Sequence, residues 1–132
     1  CILAHAVHLS DDEVSLLSSC NTSIAHCPAS NTNLGSGLCD VKRLINAGIR
    51  VGLGTDISGG NNVSILNACR DALAVSQHLK IIKSHDIKGT GKIIPLNAGQ
   101  PYVPLDYKQV IYLATLGGAK ALFVDDIIGN FE

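Results

Sequence analysis

Apolar residues gather in three short runs, each closed by a polar break and followed by a helical pattern. The first run is "CILA", residues 1–4. After it, Ser10 and Glu13 stand at capping-box spacing and predict a short helix with Val14 and Leu17 on one face. The second run is "TSIA", residues 22–25. A loop, "HCPASNTNLGSG", leads from it into a helix carrying Leu38, Val41, Leu44 and Ile45 and ended by Gly48. The third run is "IRVGLG", residues 49–54, and the longest helical pattern follows it. There Ile65, Cys69, Ala72, Leu73, Ser76 and Leu79 form one stripe. Strands alternating with helices predict βαβ units, a parallel sheet and right-handed crossovers. Segment 83–105 mixes glycine and proline without period and reads as a long surface loop. A last helix, from Asp106 to about Leu116, carries Val110, Leu113 and Ala114, and Gly117-Gly118 is expected to interrupt it.

Composition narrows the function classes. The 132 residues are 46% hydrophobic and 16% charged with a formal net charge of −1, which fits one globular domain and argues against a disordered acidic segment. The same balance offers no electrostatic footprint for nucleic acid, and at 4% aromatics there is little to stack on bases. No stretch approaches the roughly 20 apolar residues of a membrane span, and the opening residues lack the basic flank of a secretory signal. Five cysteines, without a C-x-x-C pair, read as reduced, structural thiols in a cytoplasmic setting.

The candidate chemistry lies at the strand ends. His5 closes the first run, His26 closes the second, and Asp56 stands two residues past Gly54 at the end of the third. In parallel α/β architectures the strand C-termini share one face, where reactive groups collect. Singly, each has an ordinary alternative. His5 suits a rim or core position, Asp56 the cap of a following turn, and His26 a hydrogen bond to the loop beneath it. His8 reads as a solvated loop residue, while His78 and His85 carry no assigned role. "GTDISGG" makes a poor phosphate cradle because Ile57 stands where a small residue is needed. Cys27 lacks a base placed to activate it. Together, an imidazole and a carboxylate converging on one mouth suit a hydrolytic metal site.

The stretches "LAHAVHLSDDE", "SIAHCPASNTNLGSG", "VGLGTDISGG" and "LATLGGAKAL…IGNFE", in that order, resemble the C-terminal half of the amidohydrolase superfamily barrel. Within it they are most similar to the aminohydrolases that deaminate guanine. The resemblance covers about residues 1–82 and 106–132, and implies an α/β fold: part of a (β/α)8 TIM-type barrel, about strands six to eight with their helices. It implies that Asp56 is a zinc ligand and the base that activates water. It places His5 beside the attacking oxygen as a catalytic group, and Ser30 and Asn31 in the substrate-pocket wall. The family's H-x-H pair and its fifth-strand His and Glu are absent here. The chain therefore reads as a C-terminal portion of a barrel domain, incomplete at both ends and inactive alone. Its parent is expected to convert guanine to xanthine and ammonia with one Zn2+, most of whose ligands lie outside this chain. A homodimer binding a small-molecule purine, with neither nucleic acid nor membrane as partner, is the matching expectation. A related aminohydrolase acting on another purine, a pyrimidine or a triazine is the alternative, as is a non-catalytic barrel module.

Overall fold

The computed structural model describes residues 1–85, 89 and 101–130. Three strands form a parallel sheet in sequence order: β1 (Ile2–Ala4), β2 (Ser23–His26) and β3 (Arg50–Leu53). Ile24 of β2 sits between Leu3 and Val51, and the ladder continues one step further, from His5 N to Ala25 O and from Gly54 N to His26 O. β2 is central and almost wholly buried, whereas all three residues of β1 are exposed along a sheet edge. The expected strand-helix alternation and parallel pairing are both present, with strand bounds displaced by a residue or two.

Helices pack on both faces of this sheet: those that carry Leu44, Ala72 and Leu113 on the side of Val51, and the last one on the side of Gly52. After β1, α1 (Asp11–Ser19) begins with the expected capping box: Ser10 Oγ accepts from Glu13 N, and Glu13 accepts from Ser10 N. The backbone bond from Ser10 holds the Glu13 carboxyl below its ordinary range. Three acidic residues in this first turn, Asp11 to Glu13, complement the positive end of the helix dipole. After β2 comes α2 (Pro28–Asn33), a helix where an irregular loop was expected. At six residues it is too short to show a 3.6-residue period, though Pro28 in its first turn suits a helix start. Next, α3 (Val41–Asn46) is capped by Asp40, whose carboxylate accepts from Arg43 N.

The long α4 (Ile65–Ser84) buries Ala68, Cys69, Ala72, Val75, Ser76 and Leu79. Ile65, expected on that stripe, is exposed at the first turn. Val51 and Ile24 meet Val14, Val41, Leu44, Cys69, Ala72, Val110 and Leu113 in one apolar core.

Segment 83–105 departs from a simple surface loop at both described ends. Residues 83–84 belong to α4, and Leu105 is buried, its N–H donating to the Ser76 hydroxyl at 2.8 Å. Tyr102 also hydrogen-bonds to Ser76, and the Lys83 ammonium lies 4.1 Å from its ring centre. Lys83 in turn pairs with Asp40, which ties the end of α4 to the start of α3. Residues 86–88 and 90–100 lie outside the described part.

α5 (Tyr107–Ala114) opens on a second capping box, Asp106 with Gln109. The chain then breaks at Thr115 and continues as α6 (Leu116–Leu122). Gly117 and Gly118 were expected to interrupt a helix, but both lie inside α6. Their role is steric. A Cβ on Gly52 of β3 would come within 2.9 Å of Gly118 Cα, and one on Gly117 within 3.1 Å of Val51 O. Paired glycines let α6 rest on β3 backbone to backbone.

Candidate functional site

Two strand ends meet at the site. The sheet ladder holds to His5 and Gly54, and beyond it the chain turns sharply. His5 (φ 68°), Ala6 (φ 52°), Asp56 (φ 48°) and Ser58 (φ 81°) all adopt the left-handed region. For residues with a side chain this costs on the order of 1–3 kcal/mol each, and such strain is tolerated where surrounding structure enforces it. Four of the six such residues among those described flank one spot. That concentration is invisible in the sequence.

The turns bring His5 Nε2 to 3.8 Å from Asp56 Oδ2, although 51 positions separate them. Both side chains stay accessible, at 41% and 36% exposed. The separation exceeds a direct hydrogen bond and leaves each group able to face a third. On its other side the His5 ring is held: Nδ1 lies 2.8 Å from Asn31 Oδ1, and the amide oxygen accepts.

Ser30 and Asn31, from α2, are 0% and 2% exposed, so the helix missed in the sequence delivers both beneath the site. Ser30 Oγ and Asn31 Nδ2 find no hydrogen-bond partner among the described residues. A Cβ on Gly59 would sit 2.8 Å from Ser30 Oγ and 2.8 Å from Asp56 Oδ2. The hydroxyl and the carboxylate thus flank the bare Gly59 backbone, a cradle the sequence reading did not single out.

His26, at 1% exposed, differs from its expected role. Neither ring nitrogen reaches a partner among the described residues, so the hydrogen bond to the loop beneath is not formed. It lies on the same strand face as the fully buried Ile24. Burial, with a smaller contribution from His5, pulls its pKa down to about 4, so the ring is neutral at pH 7. Cys27 is also buried beside the site, its Sγ 3.0 Å from where a Cβ on Gly54 would be. Burial and the Asp56 charge raise its thiol pKa, which opposes a nucleophilic role.

The remaining sequence candidates lie outside this cluster. His8 is exposed, yet its Nε2 donates to Ser36 O at 2.7 Å and pins the loop after α2. His78 and His85 are exposed on and after α4. All five cysteines are free thiols, and burial lifts Cys39 to about 12.

A carboxylate and an imidazole are competent donors for zinc, and Asp56 and His5 fit part of such a shell. Among the described residues no group of three His, Cys, Asp or Glu side chains is placed to hold a metal. A catalytic zinc usually takes about three protein ligands, so this cluster supplies only a portion of one.

Comparison with known proteins sets this geometry in context. The sequence pattern of the Amidohydrolase family matches residues 1–132. The probable guanine deaminase of Schizosaccharomyces pombe is 44% identical over 130 residues, covering 98% of this chain and 22% of that protein. Guanine deaminase from C. acetobutylicum, solved with guanine in its active site, superposes with a TM-score of 0.78 at 33% identity, over 99% of this chain and 27% of its own. An adenosine deaminase from Xanthomonas campestris with bound zinc also gives 0.78, at 28% identity, over 99% of this chain and 26% of its own. The chain thus spans about a quarter of the length of the relatives it matches. With the pattern matching from the first residue to the last, this chain belongs to the amidohydrolase family.

Proposed function

We propose that the intact protein hydrolyses guanine to xanthine and ammonia, and that residues 1–132 supply strands six to eight of its barrel domain. The observation that carries this reading is the 3.8 Å approach of His5 to Asp56 across two strand ends, in a chain resembling guanine deaminases. Zinc, when bound, would bring the pKa of a water molecule toward roughly 7. Asp56 would be one of its ligands, with the remaining donors coming from parts of the protein outside this chain.

Asp56 accepts the proton as the water oxygen forms its bond to C2 of guanine. The His5 ring, anchored through Nδ1, turns Nε2 toward that oxygen and fixes its line of attack. Attack opens the C2–N3 π bond onto N3, which takes a proton from a donor outside this chain. Collapse of the tetrahedral adduct breaks the bond from C2 to the exocyclic nitrogen. Ammonia leaves with the proton Asp56 took from water, the adduct's hydroxyl proton restores that donor, and the oxygen remains as the new carbonyl of xanthine. Ser30 and Asn31, read from the sequence as pocket wall, are buried and would support the purine pocket from beneath rather than touch its occupant. A homodimeric, cytoplasmic enzyme is the assembly and setting proposed with this activity.

One observation favours a second substrate: the zinc-containing adenosine deaminase superposes as well as the guanine enzyme does. Purified intact protein loaded with zinc separates the two readings. Ammonia release from guanine, exceeding that from adenine, adenosine and cytosine by 100-fold or more in kcat/KM, is the expected result. Comparable or faster release from another base would reassign the substrate.

A further inference from the structure

We infer that Asn31 is a positioning residue that sets the tautomer of His5; this rests on the hydrolytic role proposed for His5. The sequence alone suggested a pocket-wall position for Asn31, but the geometry assigns it a more specific task. Asn31 is 2% exposed, and its Oδ1 lies 2.8 Å from His5 Nδ1. An amide oxygen only accepts hydrogen bonds, so the shared proton belongs to Nδ1. In a neutral ring Nε2 is then the unprotonated nitrogen, and Nε2 is the atom turned to Asp56. A lone pair there accepts a hydrogen bond from a water held between imidazole and carboxylate. The other tautomer would direct an N–H at the carboxylate and occupy it.

Asn31 is itself well anchored for this work. Its N–H donates to Cys27 O at 3.1 Å and its carbonyl accepts from Ser36 N at 2.8 Å, so both ends of its peptide are fixed. His5 sits in a left-handed conformation, which persists where the surrounding structure enforces it. The Asn31 bond supplies a tether from a different strand-helix unit. Partners that orient an imidazole in this way typically change activity 10- to 100-fold when removed.

The direct test is nitrogen NMR of the intact, 15N-histidine-labelled protein, observed at a pH where His5 is neutral. A protonated Nδ1 and a bare Nε2 on His5 are the expected signature. Asn31→Ala should move His5 toward the Nε2–H form and lower kcat roughly 10- to 100-fold with KM changed less than about threefold. Asn31→Asp, which keeps an acceptor at the same place, should retain the Nδ1–H form. An Nε2–H ring in the unaltered protein would overturn the inference, whatever the substrate. Failure to deaminate guanine with an Nδ1–H ring intact would instead count against the proposed activity alone.

Discussion

At the scale of single residues, the site depends on what surrounds its two reactive groups. Gly59 lacks a side chain where a methyl group would press on both Asp56 Oδ2 and Ser30 Oγ at 2.8 Å. Its replacement by Ala should push the carboxylate aside and leave the core untouched. A fall in kcat/KM of about 100-fold with little change in Tm is expected, since an ångström of misplacement costs that much. An equal loss in both would place Gly59 in the scaffold instead. His26 gives a pH dependence of stability. Its folded pKa, about 4, lies below the ordinary 6.5, so the unfolded chain binds the extra proton first. The neutral ring favours folding fully above pH 6.5, and that advantage is lost as pH falls toward 4, by a few kcal/mol in all. Melting followed from pH 7 to 4 should show this slope, and His26→Leu should flatten it. An unchanged slope in the variant would assign the acid sensitivity to other groups. His5 and Asp56 were legible as candidates because each follows an apolar run. Asn31's bond to His5 was not, because it joins side chains 26 positions apart through a helix too short to announce itself.

At the scale of elements, the periodic and capped segments were readable, and the close contacts were not. Ser10 with Glu13 marked the start of α1, and the stripe through Cys69, Ala72, Ser76 and Leu79 marked the buried side of α4. Gly117 and Gly118 misled, because glycine in a helix normally signals a break. Here the cost of two flexible residues is offset by the approach they permit between α6 and β3. The two partners in that contact should respond differently. A Cβ at Gly52 meets backbone at 2.9 Å, which cannot swing away, whereas one at Gly118 meets only Leu113 O at 3.4 Å. Gly52→Ala is therefore expected to destabilise by about 1–3 kcal/mol through overpacking. Gly118→Ala should be near neutral, its steric cost balanced by up to about 1 kcal/mol of helix propensity. Urea unfolding of both variants checks this, and equal losses would show that α6 does not rest on β3 through these glycines.

At the scale of the whole molecule, the sheet presents one covered strand, β2, and an exposed strand, β1, carrying Ile2 at 43% and Leu3 at 41% exposure. Apolar residues on an open edge need a neighbour, and the relatives that this chain covers by only about a quarter are long enough to contain one. At the site, His5 and Asp56 approach each other, and among the described residues no group of three His, Cys, Asp or Glu side chains is placed to hold a metal. The parallel sheet could be read from the alternation of apolar runs and helical stripes, whereas the convergence of its strand ends required coordinates. Asp56 carries the proposed activity in two capacities, as metal ligand and as proton acceptor. In the intact protein, zinc content and ammonia release from guanine should be measured together for the unaltered sequence and for Asp56→Asn, which keeps the size and removes the charge. The variant is expected to retain less than about half of the zinc and to lose at least about 100-fold in kcat. Parental turnover from the Asn variant would contradict that assignment.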